Sequence, residues 1–253
     1  MPAEFLKNCS QSVYGKPPIE VIIHKVSKSV DIIIDELAPK VKDHYLNEES
    51  VQKILKRWGR EKLAIYMGLL LPVTKKGRSG HLGEILATEY VNYMDFGYEI
   101  PIKRLRWKDG RDCAMRGEDI MGFMFDKKPM GFIKGEVKSR KALTSTVVDE
   151  ARKGLEKNSG LPQPHTLVFI AERLAEIKQD KKAEQIQEYI LNKLPDKTQV
   201  AHLIFTFSGN DPSGLLQNDV KKVRKGVTHY SVGFFVDEHQ KLIEDVFQKA
   251  QSV

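Results

Sequence analysis

Between Thr74 and Lys157 the hydrophobic period changes from that of helices to that of strands and back, which constrains the fold more than any other feature of the chain. His81 to Met94 repeats at helical spacing, with Leu82, Ile85, Leu86, Tyr90 and Tyr93 able to share one side. Tyr98 to Trp107 then alternates as a strand through Ile100, Ile102 and Leu105. Two more strands are expected at Ile120 to Phe125 and Met130 to Val137, joined by Asp126-Lys127-Lys128-Pro129, whose residues favour a hairpin turn. Thr144 to Lys157 resumes the helical period. Helical segments follow at Thr166 to Ile177 and Ala183 to Leu194, then a buried strand at Val200 to Phe207, a strand at Tyr230 to Val236 and a last helix at His239 to Ala250. The order is that of an α/β protein.

The part before this change reads differently. An extended piece around Ile19 to His24 precedes helical patterns at Val30 to Leu37 and Ser50 to Leu71, and Pro72 ends the second of them. The basic, glycine-bearing stretch Thr74 to Gly80 has the composition of a mobile loop. These features predict an N-terminal helical section over residues 1–79 and an α/β domain over 80–253. The apolar runs are too short to span a bilayer, which takes about 18 residues or more, and the N-terminal stretch lacks the basic start and apolar core of a secretory signal. Cys9 and Cys113 stand far apart, and a chain of 253 residues with 41% apolar content can fold without a disulfide. A reducing cytoplasm and no membrane partner are expected.

The net charge of +7 points towards a polyanion. Lys103, Arg104, Arg106, Lys108, Arg111 and Arg116 face only Asp109 and Asp112 in one basic run, and Lys221, Lys222, Arg224 and Lys225 form a second. Such runs are also common on solvated faces. Arg104, Arg106, Arg140 and Lys141 are the candidate DNA contacts, the last two because they follow the acidic motif described next.

Glu84 lies on the predicted helix, Asp119 opens one hairpin strand, and Glu136-Val137-Lys138 ends its neighbour. Hydrolysing a phosphodiester calls for a hard divalent cation held by oxygens, and two carboxylates on adjacent strands supply them. Strand side chains alternate, so Glu136 and Lys138 project to one side while Val137 points to the core and keeps its carbonyl available to the ion. Lys138 then sits one pleat from the ion, where its ammonium can orient water or neutralise the charge of the transition state.

This order resembles the PD-(D/E)xK nuclease superfamily. Within it, Gly83-Glu84-Ile85-Leu86, Arg116-Gly117-Glu118-Asp119-Ile120 and Gly135-Glu136-Val137-Lys138-Ser139-Arg140 look like the HamA family, the nuclease subunits of Hachiman anti-phage defence systems. The resemblance implies an αβββαβ core with added helices, and a Mg²⁺ (or Mn²⁺) site with Asp119 and Glu136 as ligands, Lys138 as the catalytic lysine and Glu84 as the helix carboxylate. It also implies a DNase acting in a hetero-oligomer with an ATP-dependent, HamB-like helicase subunit that holds it in check. In one departure, Glu118 rather than proline precedes Asp119, leaving Glu118 as a rival ligand. A stand-alone restriction or repair endonuclease, or a catalytically silent nuclease fold that only binds DNA, are the other readings. The seven histidines show no zinc spacing, and Gly15-Lys16 lacks the upstream glycine of a phosphate-binding loop.

Overall fold

The computed structural model describes residues 3–27, 30–94, 96–113, 117–192 and 195–252. Arg116 and Leu194 therefore lie outside the described residues. In chain order the helices are α1 (Ala3–Lys7), α2 (Val30–Tyr45), α3 (Glu48–Leu70), α4 (Lys75–Tyr93), α5 (Ser145–Glu156), α6 (Pro164–Glu176), α7 (Asp180–Asn192), α8 (Ser213–Val220) and α9 (His239–Gln251). The strands are β1 (Cys9–Lys16), β2 (Ile19–Val26), β3 (Ile120–Met124), β4 (Gly131–Arg140), β5 (Val200–Ser208) and β6 (His229–Phe235). Together they form a mixed α/β fold around one six-stranded sheet in the order β1-β2-β6-β5-β4-β3.

The outer pairs β1–β2 and β3–β4 are antiparallel hairpins, and the inner pairs β2–β6, β6–β5 and β5–β4 are parallel. Parallel strands are covered on both faces. Accordingly every residue of β5 is buried, and its near-continuous apolar run Val200 to Phe207 matches that position. On one face Ile22, Val137, Phe205 and Phe234 pack under residues of α2, α4 and α9. On the other, Val21, Ile23, Ile204 and Phe235 meet Val148, Ala151 and Leu155 of α5 and Leu216 of α8. A third apolar cluster joins Met121, Phe123 and Phe132 to the α6–α7 pair. Among the described residues no helix is long and apolar enough to cross a membrane.

Three findings differ from the sequence reading. Tyr98 to Trp107 forms no strand. A single bridge pairs Glu99 with Phe123, and a 3₁₀ turn follows at Arg104–Trp107. Pro101 has no amide to donate to a ladder, and side-chain anchoring replaces strand pairing: Arg106 donates to the Asp43 carbonyl at 2.6 Å and its carboxylate at 2.8 Å. The expected loop Thr74 to Gly80 is instead largely the first turns of α4, capped by Thr74, whose hydroxyl accepts from the Gly77 amide at 3.0 Å. Asp112 fastens that cap by accepting from the Thr74 amide at 2.9 Å and its hydroxyl at 2.8 Å.

The third difference concerns the N-terminal section. It contains the β1–β2 hairpin as well as helices, and β2 pairs with β6 so that Ile19 lies beside His229. Position 79 falls within α4, and Phe5, Ile33 and Met67 share one apolar cluster with Leu82, Phe205 and Phe247. Edge strand β1 is mostly exposed and polar, which is why the alternation test does not find it.

Candidate active site

The β3–β4 ladder runs out at Ile120 opposite Gly135, two residues before Val137. Beyond that point the edge of β4 would present an unpaired amide to the space that β3 has left. Asp119, the residue preceding β3, fills it: its Oδ2 accepts from the Val137 amide at 2.8 Å. The N–H and C=O of a strand residue face the same side. The Val137 carbonyl therefore opens on the same edge as the Asp119 carboxylate.

Glu136 and Lys138 lie on the face of β4 covered by α5, with Lys138 Nζ 3.4 Å from Glu136 Oε2. A β-carbon on Gly154 of α5 would stand 2.6 Å from both carboxylate oxygens of Glu136, so only glycine leaves this side chain its place. Val137 points to the opposite face. There a β-carbon on Gly83 would lie 3.0 Å from Val137 Cγ1, and the bare glycine brings α4 against β4 with Glu84 next in line. His44, Glu84, Arg104 and Asp119 line a crevice of about 10 Å³, room for one water-sized occupant at most. Asp119 at the strand edge thus stands between two carboxylates on opposite faces of β4, Glu84 from α4 and Glu136 from β4 itself.

The electrostatics follow that geometry. Burial raises the Glu84 carboxyl above its ordinary range, and the Asp119 charge raises it further, with Arg104 and Lys108 opposing. Asp119 is raised by burial and held back by the Val137 amide, Lys138 and Arg104. Glu136 is raised by burial and then by Asp119, with Lys138 opposing. Asp119 is the common source of repulsion, a situation that a bound cation relieves. Carboxylate and carbonyl oxygens are the donor set of a hard ion such as Mg²⁺ or Mn²⁺. Among the described residues, no three or more His, Cys, Asp or Glu side chains are arranged to hold a metal. The arrangement offers two carboxylates and a backbone carbonyl, with Glu84 behind them.

The remaining candidates are dispersed. Arg104 is 8% exposed, and its Nη1 donates to the carbonyls of Glu118 and Asp119, at 3.3 Å for the latter, so it positions the residue before β3 from inside. Arg106 is tied to Asp43. Arg140 and Lys141 are exposed at the end of β4, where Arg140 donates to the Ser139 carbonyl at 2.8 Å. Glu118 is buried in a different set of contacts: its Oε1 accepts from the Gln163 amide at 2.9 Å and stands 3.6 Å from Lys134 Nζ, both side chains being 1% exposed. That pairing gives Glu118 a structural role and leaves Asp119 at the strand edge. Sequence reading missed Gly154 and the inward role of Arg104. A lone glycine inside the helical run Ser145–Glu156 was the available signal for the first.

Fold and site together define a mixed α/β protein that gathers carboxylates and a lysine at the edge of a parallel-paired strand. The HamA family model matches residues 4–250, and the chain belongs to that family. The membership points to a component of Hachiman defence. A search of curated proteins found no match.

Proposed function

We propose that this chain is a Mg²⁺- or Mn²⁺-dependent deoxyribonuclease of PD-(D/E)xK type, the effector of a Hachiman complex that acts with a helicase subunit. The observation that carries the reading is the meeting of Asp119 with Glu136 and Lys138 where β3 ends and the β4 edge is open. Asp119, Glu136 and the Val137 carbonyl would hold the ion. When bound, such an ion polarises the phosphoryl group and lowers the pKa of an attacking water.

The protein's own groups supply the rest. Lys138 Nζ, beside Glu136 Oε2, can donate a hydrogen bond to a water or phosphoryl oxygen brought there, offsetting the negative charge that grows on the phosphorane. Arg140 and Lys141, exposed just beyond the motif, are placed to bind flanking phosphates. The helicase partnership rests on the family membership.

The test is DNA cleavage by the purified chain, alone and with its partner helicase and ATP, in Mg²⁺ and in EDTA. Cleavage should need the ion, and Glu136→Ala should abolish it while partner ATP hydrolysis continues. Lys138→Ala should lower turnover by about a hundredfold or more with DNA affinity nearly unchanged, whereas Arg140→Ala and Lys141→Ala should weaken affinity. Wild-type cleavage by Glu136→Ala, or cleavage unaffected by EDTA, would overturn the assignment.

A further inference from the structure

A cavity of about 530 Å³ opens at the beginnings of β5 and β6, away from the carboxylates. The end of α5 and the turn after it form one wall, the 3₁₀ turn Lys197–Gln199 a second, and the loop 223–227 a third. Its size lies in the range of roughly 300–1,000 Å³ that small-molecule sites occupy.

The lining has two parts. Val200, Val223 and Val227 make an apolar wall, and Arg152, Lys197, Arg224 and Lys225 bring four cations against one carboxylate, Glu156. Arg152, 7% exposed, already has a counter-ion: its Nε donates to Asp219 Oδ1 at 3.1 Å, and Nη2 to Oδ2. Among the described residues Lys197, Arg224 and Lys225 have no ion-pair partner within 4 Å. Positive charge gathered around one volume raises the local concentration of anions, and more so beside low-dielectric walls. Ser159 and Thr198 add hydroxyls that both donate and accept. His202 is committed elsewhere, with Nε2 2.9 Å from the Gly160 carbonyl, and burial lowers its pKa.

We infer that this cavity binds a mononucleotide, with its phosphate among Lys197, Arg224 and Lys225 and its base against the valine wall. A phosphate alone would leave the apolar wall unused. A continuous nucleic-acid backbone is tracked by basic groups spread along a surface, whereas these converge on one concave volume. The site shares no residue with the candidate active site and does not depend on the nuclease reading.

The experiment is isothermal titration of the full chain with AMP, inorganic phosphate and a twelve-nucleotide single strand. AMP should bind saturably, one per chain, and about tenfold or more tighter than phosphate. Lys197→Glu and Arg224→Glu should each weaken AMP about tenfold or more while circular dichroism and melting temperature stay as in the wild type. Val223→Phe, which fills the apolar side without changing charge, should also remove AMP binding and guards against a misfolded charge variant. The inference is overturned by absent AMP binding at millimolar concentration, by AMP binding that ignores all three substitutions, or by phosphate binding as tightly as AMP. It is equally overturned if the single strand alone binds and loses affinity in these variants, which would make the cavity part of a DNA path.

Discussion

At the residue scale, Asp119 does two things that oppose each other. Its carboxylate accepts the Val137 amide at the end of the β3–β4 ladder, and its charge raises both Glu84 and Glu136. The two effects separate by substitution. Asp119→Asn keeps an acceptor for the amide and removes the repulsion, so it should melt above the wild type when no divalent ion is present. Asp119→Ala removes the repulsion but strands the amide, at a cost of about 1–3 kcal/mol, and should melt below Asp119→Asn. Thermal denaturation in EDTA checks the order, and equal melting temperatures for the Asn and Ala forms would show that the hydrogen bond contributes nothing. Both forms should fail to cleave DNA.

At the scale of elements, α5 matters for what it omits. Gly154 sits in the last turn of α5, where glycine is less favourable than alanine by at most about 1 kcal/mol, yet a β-carbon there would press on the Glu136 carboxylate. Gly154→Ala should therefore leave the melting temperature unchanged or raise it, because the obstructed group is the movable end of a side chain. Cleavage should fall by about tenfold or more as Glu136 is displaced. Wild-type turnover by the Gly154→Ala chain would mean that the position of Glu136 is not critical. The site's other elements were unevenly legible in the chain. The hairpin and its Glu136-Val137-Lys138 end show in local alternation, and β3 and β4 form as that pattern requires. The segment before them does not follow its own alternation, because Pro101 and the inward anchoring of Arg104 and Arg106 outweigh a strand pattern of three apolar residues.

At the scale of the molecule, buried imidazoles govern the response to acid. Six of the seven histidines are lowered, burial being the largest cause in each, and His24, His81 and His239 are lowered from 6.5 to about 4. Their partners are internal: His24 lies 3.1 Å from the Tyr90 hydroxyl, His81 2.7 Å from that of Tyr45, and His239 3.2 Å from that of Ser139. In the unfolded chain these rings protonate near 6.5 and in the folded protein only near 4, so the unfolded state takes up more protons in between. Their contribution is whole above about pH 6.5 and is lost as the pH falls towards 4, each on the order of 1–3 kcal/mol. The raised carboxylates Glu84, Asp119 and Glu136 act in the opposite sense, since acidification relieves their repulsion. With six histidines against three carboxylates, the melting temperature should fall steadily from pH 6.5 to pH 4. A flat profile over that range would contradict the buried, neutral state of the histidines.

What the sequence determined by itself was local: most of the helices and strands, the hairpin carrying the acidic motif, and the projection of Glu136 and Lys138 to one side. Periodicity over a few residues encodes these, because burial of one face acts within each element. The tertiary structure decided which elements meet. Residue 19 lies beside residue 229 in the sheet, α4 and α5 bring Glu84 and Gly154 to opposite faces of β4, and Arg104 turns inward to the carbonyls before β3. None of these contacts has a local period. They arise when separate apolar faces are buried against one another, and only then do the charges around Asp119 acquire their neighbours.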